Sequence, residues 1–306
     1  MRRRFPLLVF AAAAAAGVRP VAGQAPARQV DRPDTLQCSS CAEWNAPQRP
    51  FQIFGNTYYV GTHGLSAILV TSLSGHVLID GGLPESAPLI AAHVAELGFR
   101  MHDVRVILNS HAHFDHAGGI AELQRLSGAR VQASPWSTRV LTRGASGPDD
   151  PQYGVIRSYA PVTSVTVVND GDTVRVGELA LTMHATGGHT PGGTSWSWRS
   201  CVGPRCRSVV YVDSQTSVSA DGFYYTHSST YPTGLADFAR GALAIESLPC
   251  DILLTPHPDA SSLWTRVAAR DAGAPDALVN ARACRDFAAP ARQRVARRVA
   301  SEAASR

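Results

Sequence analysis

The chain has 306 residues, enough for one large domain or two small ones, and a formal charge of +4. All 28 basic residues are arginine, which excludes Schiff-base lysine chemistry and any site that grips a substrate carboxylate with lysine. Four of those arginines lie in residues 1–23 with no acid beside them, so residues 24–306 are formally neutral, which argues against a nucleic-acid partner.

In chain order, Met1-Arg2-Arg3-Arg4 is a basic region, Phe5 to Gly17 an apolar run and Val21-Ala22-Gly23 a small-residue ending. Residues 1–23 therefore read as a secretory signal peptide. The apolar run is shorter than the roughly 20 residues a membrane span needs, so no stable membrane association is expected. Six cysteines, all beyond the leader, fit an oxidising compartment, here the periplasm. Residues 24–50, rich in Pro, Gln and Arg, read as an extended N-terminal arm, and 51–306 as a single domain ending in a helix.

From Phe51 the pattern turns strand-like, at Phe51–Phe54, Thr57–Val60, Ala67–Thr71 and Val77–Asp80, an antiparallel meander. A helix is expected over Ala87–Leu97, a buried strand over Val104–Leu108, a helix over Gly118–Leu126 and a strand over Arg130–Ala133. Gly144–Ser158 reads as a long functional loop. Val165–Val168, Thr173–Val176, Leu179–Ala185, Thr194–Trp198, Ser208–Val212 and Ile252–Thr255 follow as strands, with a helix over Gly234–Ser247. The Arg-rich tail Ala281–Ala303 reads as a solvated amphipathic helix packed on the body. Strands then helices, twice over, predict an α/β (α+β) chain with two sheets face to face and helices outside.

Cys201 and Cys206 flank a Val-Gly-Pro-Arg turn and can close a hairpin, and Cys250 and Cys284 can tie the C-terminal segment to the body. Six cysteines allow fifteen pairings, so this set is a preference. Cys38 and Cys41 form a local bridge or take other partners; as half a zinc site or a redox pair they lack a second pair and a nearby βαβ unit.

His111-Ala112-His113-Phe114-Asp115-His116 packs three imidazoles and a carboxylate into six residues. Packing does not call for that composition, but two adjacent metal ions do. In extended backbone His111 and His113 point the same way and can grip one ion. Asp115 is expected at a helix N-cap, with His116 opening the helix, both turned toward a second ion. His189, in Gly187-Gly188-His189-Thr190-Pro191-Gly192-Gly193, would complete three histidines on the first ion; His257, in Thr255-Pro256-His257-Pro258, would complete Asp-His-His on the second. Each ion then keeps an open position, the mark of a catalytic site. His76, His93 and His102 are expected at the surface, His184 and His227 in structural roles, and His63 follows the second strand and can face the site.

These residues resemble the metallo-β-lactamase superfamily, whose pattern is H-x-H-x-D-H followed by two distant histidines. Gly188-His189-Thr190-Pro191-Gly192-Gly193-Thr194-Ser195-Trp196-Ser197-Trp198, Asp213-Ser214 and Leu248-Pro249-Cys250-Asp251 narrow the resemblance to the third subclass of class B β-lactamases. It implies a four-layer αββα sandwich, two zinc ions per chain and hydrolysis of the β-lactam amide of penicillins, cephalosporins and carbapenems by a metal-bridging hydroxide. The expected partner is that small-molecule substrate, and a monomer is the default expectation. Asp115 resembles the residue that orients the hydroxide, Ser214 and Thr216 the substrate-carboxylate contacts, and Cys250–Cys284 the subclass's C-terminal disulfide. Thr216 stands where the family often has serine, and His63 where some members carry a cysteine. The alternative is a lactone or thioester hydrolase of the same superfamily. Such relatives bridge the metals with an aspartate near the Asp213 slot, so the choice is which of Asp213 and Ser214 faces the metals.

Overall fold

The computed structural model describes Met1 and residues 38–304; the expected leader and the first part of the arm lie outside the described residues. Residues 38–50, read as extended, instead contain a helical turn, α1 (Cys41–Trp44), beside a Cys38–Cys41 disulfide. The meander follows as β1 (Phe51–Phe54), β2 (Thr57–Tyr59), β3 (Ile68–Val70) and β4 (His76–Ile79), each antiparallel to the last. Then come α2 (Ala87–Glu96), β5 (Val104–Leu108), α3 (Phe114–Ala117), α4 (Ile120–Ser127), β6 (Arg130–Ala133), α5 (Pro135–Arg143) and β7 (Val165–Val167). Strands β4 to β7 pair in parallel, which requires the helical crossovers between them. The second half runs β8 (Thr173–Val176), β9 (Leu179–Ala185), β10 (Thr194–Val202), β11 (Arg205–Tyr211), α6 (Gly234–Ser247), β12 (Ile252–Leu254), α7 (Leu263–Asp271) and α8 (Ala283–Ala304).

Two sheets result, seven strands in sequence order and five in the order β12-β11-β10-β9-β8. Alternate residues of one strand serve different layers. Ile68, Val70, Ile79 and Val106 pack between the sheets against Leu181, Trp196, Tyr211 and Leu254. Leu69, Leu78 and Ile107 point the other way, onto Ile90, Leu123 and Val140 of α2, α4 and α5. On the far side Val210 and Leu253 meet Ile245 of α6 and Phe287 of α8. The layers are helix, sheet, sheet, helix, the αββα sandwich expected. Burial on both faces explains why the central strands read as unbroken apolar runs.

Three differences from expectation have local causes. The β10–β11 hairpin extends past Trp198 and begins before Ser208, because Cys201 sits opposite Cys206 in register and their disulfide closes the polar tip. Helix α5 was not anticipated, although Ser134 caps it by accepting from Ser137 N, Pro135 opens it and Gly144 ends it in the left-handed region. His76 is buried, not at the surface: it lies on β4, with Nδ1 accepting from Ser72 N and the ring edge-on to Phe99.

Candidate metal centre

The histidine segment leaves the C-terminal end of β5, where parallel strands present their loops. Asp80, at the end of β4, fixes it by accepting from Ser110 N at 2.7 Å, Ser110 Oγ at 2.6 Å and Asn109 Nδ2 at 3.1 Å. Tyr211 Oη, from the other sheet, donates to the same carboxylate at 2.8 Å. Asp80 holds a left-handed φ of 62°, a strained backbone these bonds sustain. Further on, Tyr159 Oη donates to Ala112 O at 2.8 Å, so the segment is bonded on both flanks.

His111, His113 and His189 bring ligand atoms within 4.8 Å of one another, and so do His111, Asp115 and His116. His257 joins through Asp115, whose Oδ2 lies 3.3 Å from His257 Nε2 and 3.0 Å from His116 Nε2. All six side chains expected to bind metal therefore converge, with His111 central, its ring 4.5 to 4.8 Å from those of His113, His116 and His189. One local expectation is corrected. Asp115 is not the N-cap; His113 takes that place in extended backbone, and Asp115 lies in the first turn of α3. A carboxylate still suits that turn because the helix N-terminus is electropositive.

The ring nitrogens divide in the way a metal requires. His111 Nδ1 bonds Asp213 Oδ1 at 2.7 Å, leaving Nε2 buried with no hydrogen-bond partner among the described residues. His113 Nε2 bonds both oxygens of Asp150, at 3.0 and 3.2 Å, leaving Nδ1 for the cluster. His189 Nδ1 donates to Thr216 O at 2.9 Å, which leaves Nε2 its lone pair. Buried polar atoms without partners are rare, so His111 Nε2 aimed among three other imidazoles fits a cation. Each outward nitrogen is engaged by a carboxylate or carbonyl, as in ligand sets that fix the imidazole tautomer.

Charge supports the same reading. Burial and the neighbouring imidazoles His116 and His113 hold His111 well below its usual range, and burial with His113 brings His189 to about 3. Both rings are thus neutral, the form that binds metal. Burial would lower His113 too, but the Asp150 charge outweighs it and raises the group. Burial would raise Asp115, yet His116 and His257 overcome it and keep the carboxyl well below its usual range. Burial pushes Asp213 well up, and its Oδ1 lies 2.7 Å from His111 Nδ1.

The choice between Asp213 and Ser214 resolves by division of labour. Asp213 is fully buried behind His111, and the missing side chain of Gly193 leaves room for its Oδ2. Ser214 lines the adjoining cavity, of about 380 Å³, with Thr216, Trp44, Gln152, Ile156 and Arg294; His113, Asp115, His189 and His257 open into it. A larger groove of about 970 Å³ runs past Val70, Thr182 and Trp198, but none of the clustered histidines borders it. Chemistry favours the smaller space.

Sequence reasoning missed Asp150, Gln152 and Trp44, whose ring lies 5.3 Å from that of His257. Asp150 and Gln152 belong to the 144–158 loop, whose length was the available signal. His63 faces away, exposed and stacked on Trp264 at 4.9 Å. His184 bonds Ser197 Oγ on the neighbouring strand, and His93 bonds Val60 O.

The family model of the metallo-beta-lactamase superfamily matches residues 60–202. Among solved structures, Rm3 metallo-beta-lactamase is 55% identical, the match covering 87% of this chain and 99% of that one at a TM-score of 0.85. MEM-A1, a subclass B3 metallo-beta-lactamase isolated from a soil metagenome library, is 49% identical, covering 86% and 100% at 0.84. Among curated proteins, a hydroxyacylglutathione hydrolase of Rhodopseudomonas palustris is 37% identical over 108 residues, 35% of this chain and 32% of that protein. The match thus spans about a third of that relative's length.

Proposed function

The chain belongs to the metallo-β-lactamase superfamily, as a hydrolase alongside the B3 β-lactamases, and from that premise we propose that it hydrolyses the β-lactam amide of penicillins, cephalosporins and carbapenems with two zinc ions per chain. The observation that carries this reading is a pair of adjoining, buried ligand groups opening into one cavity that Ser214 and Thr216 also line. His111, His113 and His189 would hold one ion, and Asp115, His116 and His257 the other. Zinc bound there supplies Lewis acidity and lowers the pKa of water toward neutrality.

The chain's own residues do the rest. Asp115, kept anionic by His116 and His257, orients the attacking water and accepts its proton at a carboxylate oxygen. The Ser214 and Thr216 hydroxyls donate to the substrate carboxylate, and Trp44 and Ile156 give the cavity an apolar wall. Asp213, bonded to the outward nitrogen of His111, orients that ring from behind, which favours this reading over the lactone or thioester alternative. The same proposal takes the mature chain to be an exported periplasmic monomer, which N-terminal sequencing and light scattering of secreted protein test.

The deciding assay sets purified enzyme against a chromogenic cephalosporin, a lactone and a thioester, each with and without chelator. Cephalosporin turnover should dominate and vanish on chelation. Chelator-resistant turnover sinks the zinc mechanism, and cephalosporin rates far below the other two favour the alternative.

A further inference from the structure

Of the five arginines of helix α8, Arg292, Arg294 and Arg298 bond to the body, and two of these three are paired with a carboxylate. Arg292 meets Glu246, and Arg298 Nε lies 2.5 Å from Glu302 Oε1. Arg294, between them, has no carboxylate partner among the described residues. Its Nη2 makes one long contact with Gln215 O at 3.4 Å, while Nε is buried with no hydrogen-bond partner. Arg294 is half-buried, and a guanidinium keeps its charge at working pH, so the buried Nε without a partner is costly, a cost that an anion held by the fork offsets.

The gap is the active-site cavity. Arg294 lines it with Ser214, Thr216, Asp115, His189 and His257, and it is the only arginine among the lining residues. Arg157, in the nearby loop, instead lies over the Phe114 ring, 5.8 Å from its centroid. The chain has no lysine, so among the described residues that line the cavity Arg294 is the one permanent cation. A planar fork matches a carboxylate in two parallel hydrogen bonds, a geometry hydroxyls alone do not give.

We propose that Arg294 is the charge anchor for the substrate's carboxylate, acting with the Ser214 and Thr216 hydroxyls to set the substrate's orientation over the metal centre. This rests on the β-lactam reading, which supplies a small acid of that kind. A residue that binds the same group in ground and transition states acts mainly on KM.

The test compares a free-acid cephalosporin with its carboxyl methyl ester on zinc-loaded wild type, Arg294→Met, Arg294→Lys and Arg292→Met. Arg294→Met should raise KM for the free acid about tenfold, with kcat changed less than about threefold, and should move KM for the ester less than about twofold. Arg294→Lys should recover part of the acid's KM, which reads the charge even if the methionine variant folds poorly. Arg292→Met, which breaks the Glu246 pair outside the cavity, should leave both substrates as in wild type. Equal losses on acid and ester, or no loss on the acid, overturn the anchor. Wild type that turns over neither substrate overturns the β-lactam reading beneath it.

Discussion

Asp150→Asn isolates one charge behind one ligand. Asp150 is 1% exposed, and both its oxygens face His113 Nε2, at 3.0 and 3.2 Å; Oδ1 also accepts from Gln152 N at 2.8 Å. Asparagine keeps the volume and one acceptor oxygen, so what is lost is the negative charge that makes His113 a stronger ligand. Removing the outer partner of a ligating histidine costs 10- to 100-fold in metal affinity. The asparagine variant should sit near the lower end, about tenfold or ~1.4 kcal/mol, because a hydrogen bond survives. Asp150→Ala, which leaves His113 Nε2 without its acceptor, should approach about a hundredfold.

Zinc affinity would be measured by competition with a chromogenic chelator at alkaline pH. Asp150 raises His113, so removing it lets burial lower the group; a loss of affinity at alkaline pH therefore cannot come from extra protonation. Asp149→Asn is the internal control, since that carboxylate accepts from Trp136 Nε1 at 2.7 Å and makes no bond to the cluster. Asp150→Asn with zinc affinity within about twofold of wild type, or matching Asp149→Asn, would refute the role given to Asp150.

Two further outcomes concern stability. Replacing Cys250 and Cys284 together by serine opens a link across 34 residues and should cost about 3–4 kcal/mol, whereas the Cys201–Cys206 pair, separated by 5, should cost about 2 kcal/mol; urea denaturation that ranks them the other way rejects the loop-entropy argument. Glu302 accepts from Tyr225 N and Thr226 N and pairs with Arg298; burial opposes its ionisation, but those partners bring the carboxyl down from 4.5 to about 2. Because the folded value is depressed, its contribution is complete above pH 4.5 and fades as pH falls toward 2. Glu302→Gln should lose about 2 kcal/mol at neutral pH, with the gap to wild type narrowing in acid; a gap independent of pH contradicts the assignment.

The metal cluster was legible from the alternating histidines of residues 111–116, and the two-sheet sandwich from strands followed by helices twice along the chain. His189 and His257 could be added because each follows a strand, and strand ends share an edge. Asp150 and Trp44 could not. Neither sits at a fixed spacing from its partner: Asp150 reaches His113 from 37 residues away through an irregular loop, and Trp44 stands in a segment whose composition suggested an arm. Helix α7 escaped notice for a different reason. It starts from Ser262 in the left-handed region with no side-chain cap bond, so no start signal marks it, although Leu263, Trp264 and Val267 pack on the core.

The parts that sequence hid share a purpose. The metal ligands themselves are tied to strand ends, yet the groups that tune them come from elsewhere: Asp150 from a loop of the first half, Asp213 and the Thr216 carbonyl from beyond β11, and the Tyr211 hydroxyl, acting through Asp80, from the opposite sheet. The six ligand side chains can be arranged only when both sheets and the 144–158 loop are in place. Metal binding should therefore stabilise the packing of the two halves together and not merely the 111–116 segment. The cavity has the same dependence, since Arg294 reaches it from α8, which Cys284 and Glu302 secure at its two ends. Loss of either attachment should weaken substrate binding as well as stability, while Arg294→Met should affect substrate binding without the full cost in stability.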